Sequence, residues 1–212
     1  MKILIHSCID REWYVEEYLI PRIKELDKGN RVEIVNYVDR DKLGNQRAFI
    51  DSIEKNPDAL WHLQDDVWVS NDFIRTLITY EDIPGVICGF GTRAACRGMV
   101  PGWTDVNGMY TSFQCIRIPK VILERFHDYV INRYTHEIIT DKWDDALFRE
   151  FMLRSVPFYP VLNLSPSIVE HIDYLIGGSV INQNRKYLPK AIEFDEKSLN
   201  LLIERLEKGE RI

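Results

Sequence analysis

Two adjacent aspartates, Asp65 and Asp66, follow the run Ala59-Leu60-Trp61-His62-Leu63-Gln64 and precede Val67-Trp68-Val69. The run before them is short, mostly apolar and bounded by Asn56-Pro57-Asp58, which is the pattern of a buried strand. Like charges side by side are costly to desolvate, so they belong at the exposed carboxyl end of that strand. A divalent cation, Mn²⁺ or Mg²⁺, would neutralise them there. Hard cations take carboxylate oxygens together with those of a bound phosphate, so a cation so held can bridge a nucleotide diphosphate. The same dipeptide also suits a solvated turn with Asp72, or a helix entry capped by Ser70.

Further residues of the right chemical type are scattered along the chain. Asp144-Asp145 stand at the start of an amphipathic pattern, where one can cap a helix and the other can point into a cleft. His171 offers an imidazole suited to Mn²⁺, although it lies between Val169 and Ile172 and also reads as a core histidine. Gly177-Gly178-Ser179, with Asn182 and Arg185, offers backbone amides and a cation for a diphosphate, or an ordinary glycine turn. Ser7, Arg11, Asn45 and Arg47 are nucleotide-binding candidates by position, after the first strand or before the second helix. Trp103 is a candidate platform for a sugar or base.

The elements that must position these groups alternate. Lys2 to Cys8 reads as a strand. Glu12 to Leu26 has helical spacing, with Pro21 expected to kink or split it. Arg31 to Val38 alternates as a strand, and Gln46 to Lys55 reads as a helix. The Leu60 strand is followed by a helix from Ser70 to about Tyr80. Later segments are a strand over 85–90, a loop from Gly91 to Asn107, and a strand from Ser112 to Ile118. A helix begins at Pro119, another spans Asp144 to Arg154, and 156–162 is extended. The tail from Asp195 reads as a charged surface helix. Alternating strands and helices predict an α/β fold, Rossmann-like, with a mainly parallel sheet flanked by helices. In such sheets ligands sit outside the carboxyl ends of the strands, which would gather His6-Ser7, Asp39 and Asp65-Asp66 on one edge.

Composition bounds the rest. The 212 residues suffice for one domain, 1–212, with 195–212 as its C-terminal helix. A net charge of −6 argues against a broad basic surface for duplex binding. The four cysteines are widely spaced and form no CxxC, which fits reduced thiols of a cytoplasmic protein. No run approaches the ~18 apolar residues of a membrane span.

Gln64-Asp65-Asp66-Val67, Trp143-Asp144-Asp145-Ala146-Leu147 and Ser165-Pro166-Ser167-Ile168-Val169-Glu170-His171-Ile172-Asp173, taken in order with the first strand, resemble nucleotide-sugar-dependent glycosyltransferases of the GT-A fold. The last segment is similar to the Ser-Leu-Val-Gln-His stretch of branching N-acetylglucosaminyltransferases and of related small bacterial and phage enzymes. The resemblance spans roughly residues 1 to 182. It implies a single-domain GT-A-like enzyme that moves a sugar from a nucleotide-diphosphate donor, a UDP-sugar first, to an acceptor hydroxyl with inversion. It implies Asp66 as the direct ligand of Mn²⁺ or Mg²⁺, Asp65 on the ribose or reaching the metal through water, and His171 on the metal or diphosphate. Asp145 or Asp144 would be the catalytic base. Asp-Asp-Val departs from the commoner Asp-x-Asp, and the shortness of the chain leads us to expect no separate acceptor domain. The acceptor stays open between a saccharide, a protein, a lipid-linked group and a hydroxylated phage DNA base, for which Arg93, Arg97, Arg117 and Arg125 are candidate phosphate contacts. A nucleotidyltransferase and a non-catalytic nucleotide-sugar-binding module are the rival readings. The absence of glycine from Ser7-Cys8-Ile9-Asp10-Arg11 counts against the first.

Overall fold

Ile3-Leu4-Ile5 is apolar on both faces and becomes an interior strand of a sheet, fully buried along these three residues. The computed structural model describes residues 1–90, 104–105, 113–134, 144–177, 191 and 193–210. Strand β1 (Lys2–Cys8) leads through a helical run into β2 (Glu33–Asp39), and helix α3 (Asn45–Lys55) leads on to β3 (Trp61–Gln64). The run between β1 and β2 comprises α1 (Glu12–Tyr14), a π-helical segment (Val15–Leu19) and α2 (Ile20–Leu26). Then come β4 (Val67–Val69), α4 (Phe73–Thr79), β5 (Val86–Cys88), the short β6 (Thr104–Asp105) and β7 (Cys115–Arg117). Helices α5 (Lys120–Tyr134) and α6 (Asp144–Ser155) precede β8 (Val161–Asn163), β9 (Val169–His171) and α7 (Glu196–Lys208).

The main sheet has the order β2-β1-β3-β7-β5-β8-β6. The pairings set β7 and β6 against the other five strands, which share one direction. The expected α/β class with a mostly parallel sheet is observed, as a mixed sheet. Side chains alternate between two cores as the pleat requires. On β5, Val86 and Cys88 join α3, α5 and α6, while Ile87 joins the core under α1 and α2. A separate two-stranded sheet pairs β4 with β9 antiparallel.

Three expectations change in detail. Pro21 does not end the helical run: it sits in the first turn of α2, just after the π segment that divides α1 from α2. A proline has no N–H to give and crowds the carbonyl four residues back, and the wider π turn relieves both demands. The helix expected from Ser70 starts only at Phe73, and no side chain caps it. The tail helix is not a surface appendage. Leu202 is fully buried, Ser198 Oγ donates to Val69 O at 2.8 Å, and Trp68 Nε1 donates to Ser198 O at 2.7 Å. Burying one leucine is worth roughly 1.5–3 kcal/mol, so α7 is part of the core that supports β4. Its charged pattern describes the outer face alone.

Gly89 brings the second sheet close. A Cβ there would meet Cys115 Sγ and Ile168 Cγ1 at 2.8 Å, and Ile168 N donates to Gly89 O at 2.9 Å. The lead-in to β9 therefore lies against the end of β5, and only glycine permits the approach. No helix among the described residues is long and apolar enough to cross a membrane.

Candidate metal centre

The chain reverses its winding at β1. Strand β2 lies on one side of β1 and β3 on the other, so a crevice opens where the carboxyl ends of β1 and β3 part. The 3₁₀ turn Ile9–Arg11 leaves β1 at this crevice, and Asp65-Asp66 leave β3 beside it. Parallel pairing through His6 and Gln64 fixes their relative height.

Arg11 binds the two carboxylates together. Its Nη1 donates to Asp65 Oδ1 at 2.9 Å and to Asp66 Oδ2 at 2.8 Å. Asp65 Oδ2 accepts from the Cys8 backbone N–H at 2.7 Å, so both Asp65 oxygens are engaged by the first strand and its turn. His171 arrives from the far end of the sequence on β9, opposite Val67, and its Nε2 lies 3.0 Å from Asp66 Oδ2. The same junction is tied by Ile172 N donating to Asp66 O at 2.8 Å and Tyr14 Oη donating to Val67 O at 2.7 Å. Asp173 follows at the start of a 3₁₀ turn, with Oδ2 3.9 Å from His171 Nε2.

Ligating atoms of Asp66, His171 and Asp173 all lie within 4.8 Å of one another. Three buried atoms here have no hydrogen-bond partner: Asp66 Oδ1, His171 Nδ1 and Asp173 Oδ1. An orphaned buried oxygen costs about 1–3 kcal/mol. Counting Asp65, Asp66 and Asp173 against Arg11 leaves a deficit of positive charge even with His171 protonated. Two carboxylates and an imidazole form a donor set suited to Mn²⁺, with Mg²⁺ served by the oxygens. The residues fit a divalent cation.

Protonation follows the same logic. Burial alone would raise the Asp66 carboxyl, but the hydrogen bond from His171, the charge of that ring and Arg11 bring it down to about 2. Burial lowers His171, and Asp66 and Asp173 more than reverse that, so the imidazole is held above its ordinary value. Asp65 is pushed up, first by burial and then by the Asp66 charge, against the pull of Arg11 and the Cys8 amide. Asp66 is thus an anion ready for a cation, and Asp65 is the half of the pair that tolerates a proton.

Of the residues expected at the site, the structure brings together Arg11, Asp65, Asp66 and His171. It puts Asp65 on Arg11 and Cys8 rather than among the three clustered ligands. The third place belongs to Asp173, which the sequence analysis quoted without a role. Strand alternation could not have found it, because β9 ends at His171 and Asp173 already opens the 3₁₀ turn. Ser7 is buried, and its Oγ donates to Asn36 Oδ1 at 2.6 Å, which commits it to the β1–β2 pair. Asn45 opens α3 and Arg47 is exposed in its first turn, beyond β2 on the carboxyl side. Asp144 opens α6 as expected, while the side chains of Asp144 and Asp145 lie outside the described residues. So do Arg93, Arg97, Trp103, Gly178, Ser179, Asn182 and Arg185. Arg117 is no phosphate contact: it is buried, and its guanidinium donates to the carbonyls of Glu81 and Gly85. Exposed Arg125 donates to Ser155 O at 3.2 Å.

Compared with models of known protein families and with the sequences of curated proteins, the chain matches none.

Proposed function

We propose that this chain is a metal-dependent glycosyltransferase that moves a sugar from a nucleotide-diphosphate donor to an acceptor hydroxyl with inversion. The observation that carries the reading is the position of Asp66, His171 and Asp173, clustered at the crevice where the sheet reverses its winding. The direction of the strands supports a GT-A-like arrangement, with five running together and β7 reversed between β3 and β5. Asp66, Asp173 and His171 would hold Mn²⁺ or Mg²⁺, which supplies Lewis-acid stabilisation of the departing diphosphate charge.

The chain's own residues do the remainder. Arg11 holds Asp65 and Asp66 in one orientation and keeps the pair from repelling itself apart. Asp65, anchored on the Cys8 amide, fixes Arg11 in turn. An acceptor hydroxyl needs a base on the face opposite the leaving group, and Asp145 is the residue we assign, with Asp144 as the helix cap. The acceptor is a saccharide, a protein or a hydroxylated DNA base.

Nucleotide release from a panel of UDP, GDP and CMP sugars with Mn²⁺ tests the donor class, with UDP-sugars expected to turn over. Asp145→Asn keeps shape and most hydrogen bonds, so donor affinity should survive while kcat falls by the ~10²–10⁴ typical of a positioned general base. Asn caps a helix nearly as well as Asp, so Asp144→Asn should be almost silent. Near-normal transfer by both variants would remove the inverting mechanism. One observation favours a second reading, a nucleotide-sugar-binding module without chemistry: Arg11 Nη1 lies between the two carboxylates and already supplies part of the charge they need. Binding of donor with no turnover in any acceptor mixture would select it.

A further inference from the structure

Arg11 brings a fixed positive charge into the candidate metal centre, and the sharing of its partners gives that charge a target. One nitrogen, Nη1, reaches Asp65 Oδ1 at 2.9 Å and Asp66 Oδ2 at 2.8 Å. Asp65 has both oxygens engaged, since its Oδ2 accepts from the Cys8 amide at 2.7 Å. Asp66 Oδ2 stands between Arg11 Nη1 and His171 Nε2, which is 3.0 Å away. Asp66 thus joins the guanidinium to the three-residue cluster. Arg11 is buried, so water and salt do little to screen it. A guanidinium also keeps its proton, so this charge stays when an ion arrives.

Two effects of opposite sign then act on a divalent cation held by Asp66. Arg11 keeps the carboxylates in place, which favours the ion. Its charge, one hydrogen bond away from the carboxylate the ion would share, repels the ion. Unit charges about 4 Å apart, at an effective dielectric of about 20, change an equilibrium by about a thousandfold. Ordering one side chain is worth up to about tenfold. The repulsion wins.

The geometry points to Arg11 as a resident counter-charge, which competes with the divalent cation for Asp66 and holds down the affinity of the protein for that ion. The inference rests on the cation reading of Asp66, His171 and Asp173 given above, and adds the residue that controls their occupancy. Asp65 has the matching part. Fixed between Arg11 and the Cys8 amide, it offsets some of the guanidinium charge and so returns some of the affinity that Arg11 removes.

Calorimetry of the whole chain with Mn²⁺ alone tests the assignment by its sign. Arg11→Gln should bind Mn²⁺ at least ~10-fold more tightly than the parent chain. An arginine that only orders the carboxylates would instead lower the affinity on removal. Arg11→Lys keeps the charge and should stay within about threefold of the parent. Arg11→Gln combined with Asp65→Asn removes both charges together, the change that a buried pair tolerates best. The double variant therefore carries the test if Arg11→Gln alone does not fold, and it should bind Mn²⁺ within about threefold of the parent. The proposal is overturned by an unchanged or weaker affinity in folded Arg11→Gln, or by an equal tightening in Arg11→Lys. A ~10-fold loss in the double variant, or no Mn²⁺ binding by any of these chains, overturns it as well. No sugar nucleotide enters these measurements. Failure of the transferase reading shows as absent nucleotide release with Mn²⁺, which leaves them unaffected.

Discussion

Strands β1 and β3 carry polar residues in two places, and the two places treat charge in opposite ways. At the carboxyl ends, Arg11, Asp65, Asp66, His171 and Asp173 form an ionic cluster. One turn of the pleat earlier, His6 and His62 pack on Phe49, which Phe113 and Phe126 flank in turn, with His6 Nε2 3.1 Å from His62 Nδ1 and Ser52 Oγ 2.9 Å from His6 Nδ1. Burial pushes His62 down to about 3, and burial with the neighbouring ring pushes His6 well below its ordinary value. Asp66 does the reverse to His171. A carboxylate neighbour, more than depth, decides whether a buried imidazole in this fold carries charge.

The comparison breaks first at Asp66. Asp66→Asn removes an anion that nothing else replaces, so Mn²⁺ affinity by calorimetry should fall at least ~100-fold, beyond the 10–100-fold typical of outer-sphere losses. Arg11 keeps Asp65, so the fold should persist. Unchanged Mn²⁺ affinity would mean that the cluster is a closed ion network and not a cation site.

The histidine pair gives the next effect, read as stability against pH. His62 has a folded value near 3 and an unfolded one near 6.5, so between them the unfolded chain binds the extra proton. The stabilisation is complete above pH 6.5 and is lost as pH falls towards 3, at about 1.4 kcal/mol per pH unit for this one group. The double replacement His6→Phe with His62→Phe removes both polar partners together, which is close to neutral near pH 7.5. It should flatten the acid limb of a denaturant-midpoint profile. An identical slope in the double variant would show that the acid sensitivity lies elsewhere.

Asp173→Asn sharpens the contrast on a smaller scale. It keeps an oxygen donor but removes its charge, so Mn²⁺ affinity should drop about 10-fold with Tm nearly constant. A loss equal to that of Asp66→Asn would make the two carboxylates equivalent ligands. Ser52→Ala is the mildest test. It removes the hydroxyl between His6 Nδ1 and Phe49 O and should cost about 1 kcal/mol in urea denaturation. A silent variant would show the histidine pair to be held by packing alone.

Much of this was legible in sequence. The first three strands and α3 announce themselves by alternation and helical spacing, and Asp65-Asp66 by following a buried strand. The pairing of β4 with β9 was not, because each is three residues long and their register joins positions about 100 apart. Asp173 escaped for the same reason, since its role appears only once β9 is laid beside β4. The proline at 21 marked the division between α1 and α2, but not that a π segment would make it. For α7, the charges of its outer face concealed the row Leu199, Leu202 and Leu206, whose spacing is a packing face.

The long separation of Asp66 from His171 also has a meaning in time. In a chain emerging from the ribosome, β1, Arg11 and the aspartate pair precede His171 by about 100 residues. The imidazole and the third carboxylate come later, and Ala191, whose amide meets their strand, later still. Glu170 Oε1 accepts from both the His171 and Ala191 amides, which ties the two arrivals together. A chain made only as far as the aspartate pair thus lacks two of the three clustered side chains, His171 and Asp173. Any cation affinity of the three would belong to the folded chain, and the free energy of a bound ion would then fall on the native state alone.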